Sequence, residues 1–110
     1  MMERTDLKEY GEREKEILYR ISRLCNAEKL EDLCDDLLDM ILESKSANAL
    51  KSSAIGVSIF HMMNTDTLNT YVGFQRLIEA GMMIEPDATV KIIEDHGETT
   101  IADELNSLKE

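Results

Sequence analysis

The stretch Asn26-Ala27-Glu28-Lys29-Leu30-Glu31-Asp32-Leu33-Cys34-Asp35-Asp36-Leu37-Leu38-Asp39-Met40-Ile41-Leu42-Glu43-Ser44 decides the fold. Leu30, Leu33, Cys34, Leu37, Leu38 and Ile41 recur at helical spacing and make one apolar stripe. Glu28, Asp32, Asp35, Asp36, Asp39 and Glu43 fall on the opposite stripe. A segment with two such faces buries one against a core and leaves the other in water. Asn26 offers a side-chain oxygen to the unpaired first-turn amides, so the pattern predicts a helix over residues 27–44.

Working outward, Leu7, Tyr10, Ile17, Leu18, Ile21, Leu24 and Cys25 follow the same period and predict a helix over residues 5–25, capped by Thr5 or Asp6. Glu9–Arg13 and Glu16–Arg20 are placed for helix-surface ion pairs. On the other side, Ala47, Leu50, Ala54, Ile55, Val57, Ile59, Phe60, Met62 and Met63 make residues 47–63 apolar nearly all round, which predicts a central, buried helix. Ile55, Val57 and Ile59 also alternate as a strand would. Asn64-Thr65-Asp66 reads as a stop followed by a cap, opening a helix over 66–80 with Gly81 as the left-handed residue past its end. Pro86 and Gly97 bracket a short helix at 87–95. Val90-Lys91-Ile92-Ile93 suits a strand equally, making a short β-hairpin near residues 83–95 the alternative. Thr100 with Asp103 resembles a capping box before Ile101, Leu105 and Leu108. The expected architecture is all-α: a compact bundle of five or six short helices forming a single domain over residues 1–110.

The 110 residues are 43% hydrophobic, enough to build a core and too apolar for a chain that stays disordered. The net charge is −11, which argues against general nucleic-acid binding and against anionic lipid. That charge is unevenly spread. Residues 26–45 hold seven acids and two bases, residues 85–110 hold eight acids and two bases, and residues 46–84 are balanced at two of each. A near-neutral middle predicts burial, inside the domain or against a partner. No charge stands between Ser52 and Asn64, but that run is too short to span a bilayer. The first residues lack a basic-then-apolar leader, and the expected location is the cytoplasm. Cys25 and Cys34 lie at apolar positions and read as buried, reduced thiols.

Asp35-Asp36-Leu37-Leu38-Asp39 spells D-D-x-x-D and is similar to the magnesium-diphosphate motif of the isoprenoid synthase family. The resemblance implies hard-cation ligation by Asp35, Asp36 and Asp39. Glu28-Lys29-Leu30-Glu31 resembles the first E-x-x-E of small all-helical nucleotide pyrophosphohydrolases. Both families need a second acidic set facing the first, and residues 46–84 contain only Asp66 and Glu79. His61 and His96 have no carboxylate three or four residues before them, so no Glu-x-x-His metal motif exists. His61, on an apolar helix, reads as a core or interface histidine. The segment Ile59–Gly81, with Asn64 at the turn and Phe74-Gln75-Arg76-Leu77-Ile78-Glu79-Ala80-Gly81 closing it, resembles the helix–turn–helix of winged-helix regulators. That resemblance implies a recognition helix and a wing from Met82–Asp95, although Arg76 is the sole base the helix would bring to DNA.

These features lead to the expectation of a small acidic, non-enzymatic interaction or regulatory domain that docks a basic or apolar partner surface. An inhibitor imitating nucleic-acid charge belongs to this class. Asp32, Asp35, Asp36, Asp39 and Glu43 form the docking stripe. Met62-Met63 and Met82-Met83 bracket the neutral segment, and methionine suits adaptable surfaces. Phe60, Met62, Met63, Tyr71, Met82 and Met83 are therefore the expected homodimer interface. No cofactor, no direct nucleic-acid contact and no membrane contact are expected. The alternatives are a winged-helix-like transcription regulator and a divalent-metal-dependent enzyme built on Asp35, Asp36 and Asp39.

Overall fold

Local hydrogen bonding sets the helix ends, and the resulting chain is helical throughout its ordered elements. The computed structural model describes residues 11–108. Among these, the elements in order are α1 (Glu12–Ser22), α2 (Ala27–Glu43), α3 (Ala47–Lys51), α4 (Ala54–Asn64), α5 (Tyr71–Ile84), α6 (Pro86–Asp95) and α7 (Thr99–Leu108). The all-helical expectation holds, with seven helices among the described residues rather than five or six. Residues 5–10 of the predicted first helix, including Leu7, Tyr10 and the Thr5 or Asp6 cap, lie outside the described residues. Asn26 caps α2 as predicted, its Oδ1 accepting from the Glu28 amide at 2.8 Å. Glu16 and Arg20 pair at 3.6 Å on the surface of α1.

Four expectations are corrected. The predicted helix over 47–63 is broken in two at Ser52-Ser53. Ser53 donates to the Leu50 carbonyl at 2.6 Å and accepts from the Gly56 amide at 3.1 Å, so one hydroxyl ends α3 and caps α4. The helix predicted over 66–80 begins instead at Tyr71, capped by Thr70, whose Oγ1 accepts from the Gly73 amide at 3.0 Å. Asp66 takes a left-handed conformation (φ 57°), which makes it part of the connecting turn rather than a cap. Gly81 does not end that helix, which runs on to Ile84. A Cβ at Gly81 would lie 2.2 Å from Thr89 Oγ1, so glycine is needed there for the close approach of α5 and α6. The short helix expected at 87–95 is present as α6, and the alternative hairpin near residues 83–95 does not form. Pro86 starts α6 at its first position, where its missing N–H costs nothing, and no strand occurs among the described residues. Thr100 also lies inside α7, which opens at Thr99.

The central element is α5, not the uncharged 47–63 segment. It packs against α1, α2, α3, α4 and α6. Nine of its residues are buried, among them Phe74, Leu77 and Ile78. These meet Leu18 and Ile21 of α1, Leu33, Leu37 and Ile41 of α2, Ile59 of α4, Ile93 of α6, and Ile101 and Leu105 of α7 in one cluster. Each such side chain contributes about 1.5–3 kcal/mol of apolar transfer. By contrast, α4 presents an outer face: Val57 is 60% exposed and His61 is exposed. Absence of charge did not imply burial here, and His61 is not a core histidine. The Cα radius of gyration is 12.9 Å, close to the ~13 Å of a packed domain of about 100 residues. Among the described residues no helix is long and apolar enough to cross a membrane.

Candidate functional site

The outer face of α2 is built by the same periodicity that buries its inner one. Leu33, Cys34 and Leu37 have no exposed surface and Ile41 almost none, which fixes the rotation of the helix about its axis. Asp32, Asp35, Asp36, Asp39 and Glu43 are consequently all exposed on the far side. Asp32, Asp35, Asp39 and Glu43 form no ion pair among the described residues. Like charges one turn apart, as at Asp35–Asp39 and Asp39–Glu43, cost about 0.2–0.5 kcal/mol per pair.

Asp36 differs from its neighbours. Its Oδ2 lies 2.6 Å from Nε2 of His96, which caps the C-terminus of α6. Nearby on the same helix, Lys29 Nζ donates to the His96 carbonyl oxygen at 3.0 Å and stands 3.8 Å from Glu98 Oε2. Two side chains of α2 thus grip the turn between α6 and α7. The contact spans 60 residues of sequence, and no local signal announces it.

One of the expected interface residues does not reach the surface. Met82 is part of the core at 5% exposure, which removes it from any docking face. Met62, Met83 and Tyr71 are half-buried against the core. The Tyr71 hydroxyl donates to the Cys25 carbonyl at 3.4 Å, and the Arg23 guanidinium lies 4.9 Å from its ring centre. Phe60 is half-buried with Lys51 Nζ 6.0 Å from its ring. Met63 remains exposed, on α4 with Val57. The continuation of α5 through Met82 and Met83 into the helix α6 also removes the wing that the helix–turn–helix resemblance implied.

Both cysteines are free and buried. Burial pushes the Cys34 thiol up to about 12, with Cys25 and Asp35 adding to the effect. Burial likewise pushes Cys25 up to about 11, with the Glu98 charge adding and the Lys29 charge opposing. Neither is a thiolate nucleophile near neutral pH.

One feature went unread in the sequence. A groove of about 760 Å³ between α1, α4 and α5 is lined by Arg13, Tyr19, Ser58, Gln75, Arg76 and Glu79 among others. Glu79 is 2% exposed and Gln75 7% exposed, and Gln75 Nε2 donates to the Lys15 carbonyl at 3.3 Å. No periodic pattern marks these two polar residues, which the central position of α5 buries. Among the described residues no three His, Cys, Asp or Glu side chains converge as metal ligands, so Asp35, Asp36 and Asp39 lie along one helix face without a facing set. The chain matches no protein-family model, no curated protein and no solved structure.

Proposed function

We propose that this protein is a non-enzymatic interaction module that docks a partner with a basic surface on the outer face of α2. The observation that carries this proposal is the set of Asp32, Asp35, Asp39 and Glu43, exposed along one side of a rigidly seated helix and without counter-charges among the described residues. A cationic partner relieves the repulsion along the face, and the field of a chain of net charge −11 steers it in. Surfaces that normally meet nucleic acid have the required chemistry, so inhibition by charge imitation falls within this function. Two free thiols suit a reducing compartment, which supports a cytoplasmic location.

The test is fluorescence anisotropy with a labelled oligolysine peptide. Wild-type protein should bind it, with affinity falling as salt rises. The combined substitution Asp32→Asn, Asp35→Asn, Asp39→Asn and Glu43→Gln should weaken binding at least about tenfold, if each position contributes as a modest charge pair does. A control removes four exposed acids on other helices: Glu12→Gln, Glu94→Gln, Asp103→Asn and Glu104→Gln. It should bind nearly as the wild type does. Equal loss in both variants would show that net charge alone acts, and the docking face would be abandoned.

The outer face of α4 supplies a second surface. Val57 and Met63 are exposed there in a stretch with no charge. In so acidic a chain, self-association requires a face that brings no carboxylates together. We therefore place a homodimer contact on α4 rather than on the Met82 side.

A further inference from the structure

The turn from α6 to α7 reverses direction through Gly97, whose φ of 84° suits glycine. A Cβ there would also stand 3.3 Å from Lys29 Nζ. The Gly97 amide donates to the Glu94 carbonyl at 2.8 Å and the Glu98 amide to the Ile93 carbonyl at 3.1 Å, closing the end of α6. The turn is anchored to α2 at two points seven residues apart. Lys29 takes the His96 carbonyl and the Glu98 carboxylate, and Asp36 takes the His96 imidazole at 2.6 Å. The imidazole is largely enclosed, with 21% of its side-chain surface exposed, while Asp36 remains 54% exposed.

A carboxylate only accepts, so Nε2 must donate to it, either as a neutral imidazole or as an imidazolium. The two forms differ by one positive charge placed directly against the acidic face. The charged side chains of the elements meeting at this turn include Lys29, Asp32 and Asp35 of α2, Glu94, Asp95 and Lys91 of α6, the last two paired at 3.6 Å, Glu98 in the turn itself, and Asp103 and Glu104 of α7. The thiol of Cys25 is neutral in this range. Carboxylates outnumber cations among these side chains.

We propose that His96 is a proton-operated clamp on the docking face. When protonated, it neutralises Asp36 and holds the α6–α7 turn against α2. When neutral, it leaves the charge of Asp36 available to a basic partner. The second half of this proposal rests on reading α2 as the docking face, while the first half stands on the turn itself.

The experiment compares the full-length wild type with His96→Gln, which keeps a donor but cannot titrate. Oligolysine binding is measured at about pH 7.5 and about pH 5.5. Acidification should weaken wild-type binding about two- to fivefold more than it weakens His96→Gln, the effect of one exposed charge pair. Responses of groups that do not touch residue 96 are common to both proteins and cancel. Amide hydrogen exchange at Gly97 and Glu98 is followed in parallel, without peptide. Protection there should rise on acidification in the wild type relative to the variant. Identical exchange in both proteins at both pH values would overturn the clamp whether or not the peptide binds. A peptide that fails to bind wild type at either pH would overturn the docking function and leave the clamp to be decided by exchange. Binding with the same pH response in both proteins would disconnect His96 from the face.

Discussion

Cys34 has no exposed surface, and that burial rather than any sequence motif decides its chemistry. Neither it nor Cys25 should react with a thiol reagent in the folded protein at about pH 8, while both should react once denaturant is added. The same shifts predict an alkaline weakness. An ordinary thiol titrates at 9.0, and burial moves Cys25 to about 11 and Cys34 to about 12. The unfolded chain therefore loses these protons first, and stability falls as pH rises from 9.0 through those higher values, while below 9.0 their contribution is fully present. Urea unfolding at about pH 8 and about pH 10 checks this, and Cys34→Ala should lose less stability across that interval than the wild type. An equal loss would show that other groups control the alkaline limit. Local chemistry made some residues readable from sequence: Asn26 caps the helix it precedes, and the cysteines sit in an apolar stripe. His96 and Glu79 were not readable, because the groups around them arrive from distant parts of the chain.

At the scale of the element, α2 and α5 show two ways of reading a helix. In α2 the alternation of acids and leucines dictates which side is dry. Leu37→Asp puts an unpaired charge among fully buried side chains and should cost more than about 4 kcal/mol, enough to unfold the domain. Asp39→Asn, on the opposite side, should change stability by less than about 0.5 kcal/mol and can relieve repulsion with Asp35 and Glu43. Thermal melts followed by circular dichroism separate the two, and comparable destabilisation would mean that α2 is rotated from its observed seat. In α5 no such alternation exists. Its glycines allow two close approaches: a Cβ at Gly73 would fall 1.7 Å from the Leu68 carbonyl oxygen of the loop leading into the helix, and one at Gly81 would meet the Thr89 side chain of α6. Glycine in a helical pattern reads first as a stop, which is why Gly81 was expected to end the helix that it helps to pack. The Ser52-Ser53 break was similarly hidden, since serine is tolerated inside helices and acts as a cap only when its hydroxyl finds the Gly56 amide.

At the scale of the whole molecule, the acidic residues of α2 face outward, and among the described residues Val57 and Met63 of the uncharged α4 are exposed. Light scattering should report a dimer mass for the wild type, and Val57→Glu should return the monomer with its helicity unchanged. A wild-type monomer, or a dimer indifferent to Val57→Glu, would remove α4 from the interface. The sequence by itself determined that the chain is helical, where α2 and α6 lie, and which side of α2 carries the acids, because periodicity, caps and the proline at a helix start act within a few residues. Tertiary structure alone decided that α5 is central, that α4 shows a face to solvent, and that His96 meets Asp36. These outcomes depend on how closely backbones approach and on which helix ends coincide in space, and the order of residues in one segment carries no record of either.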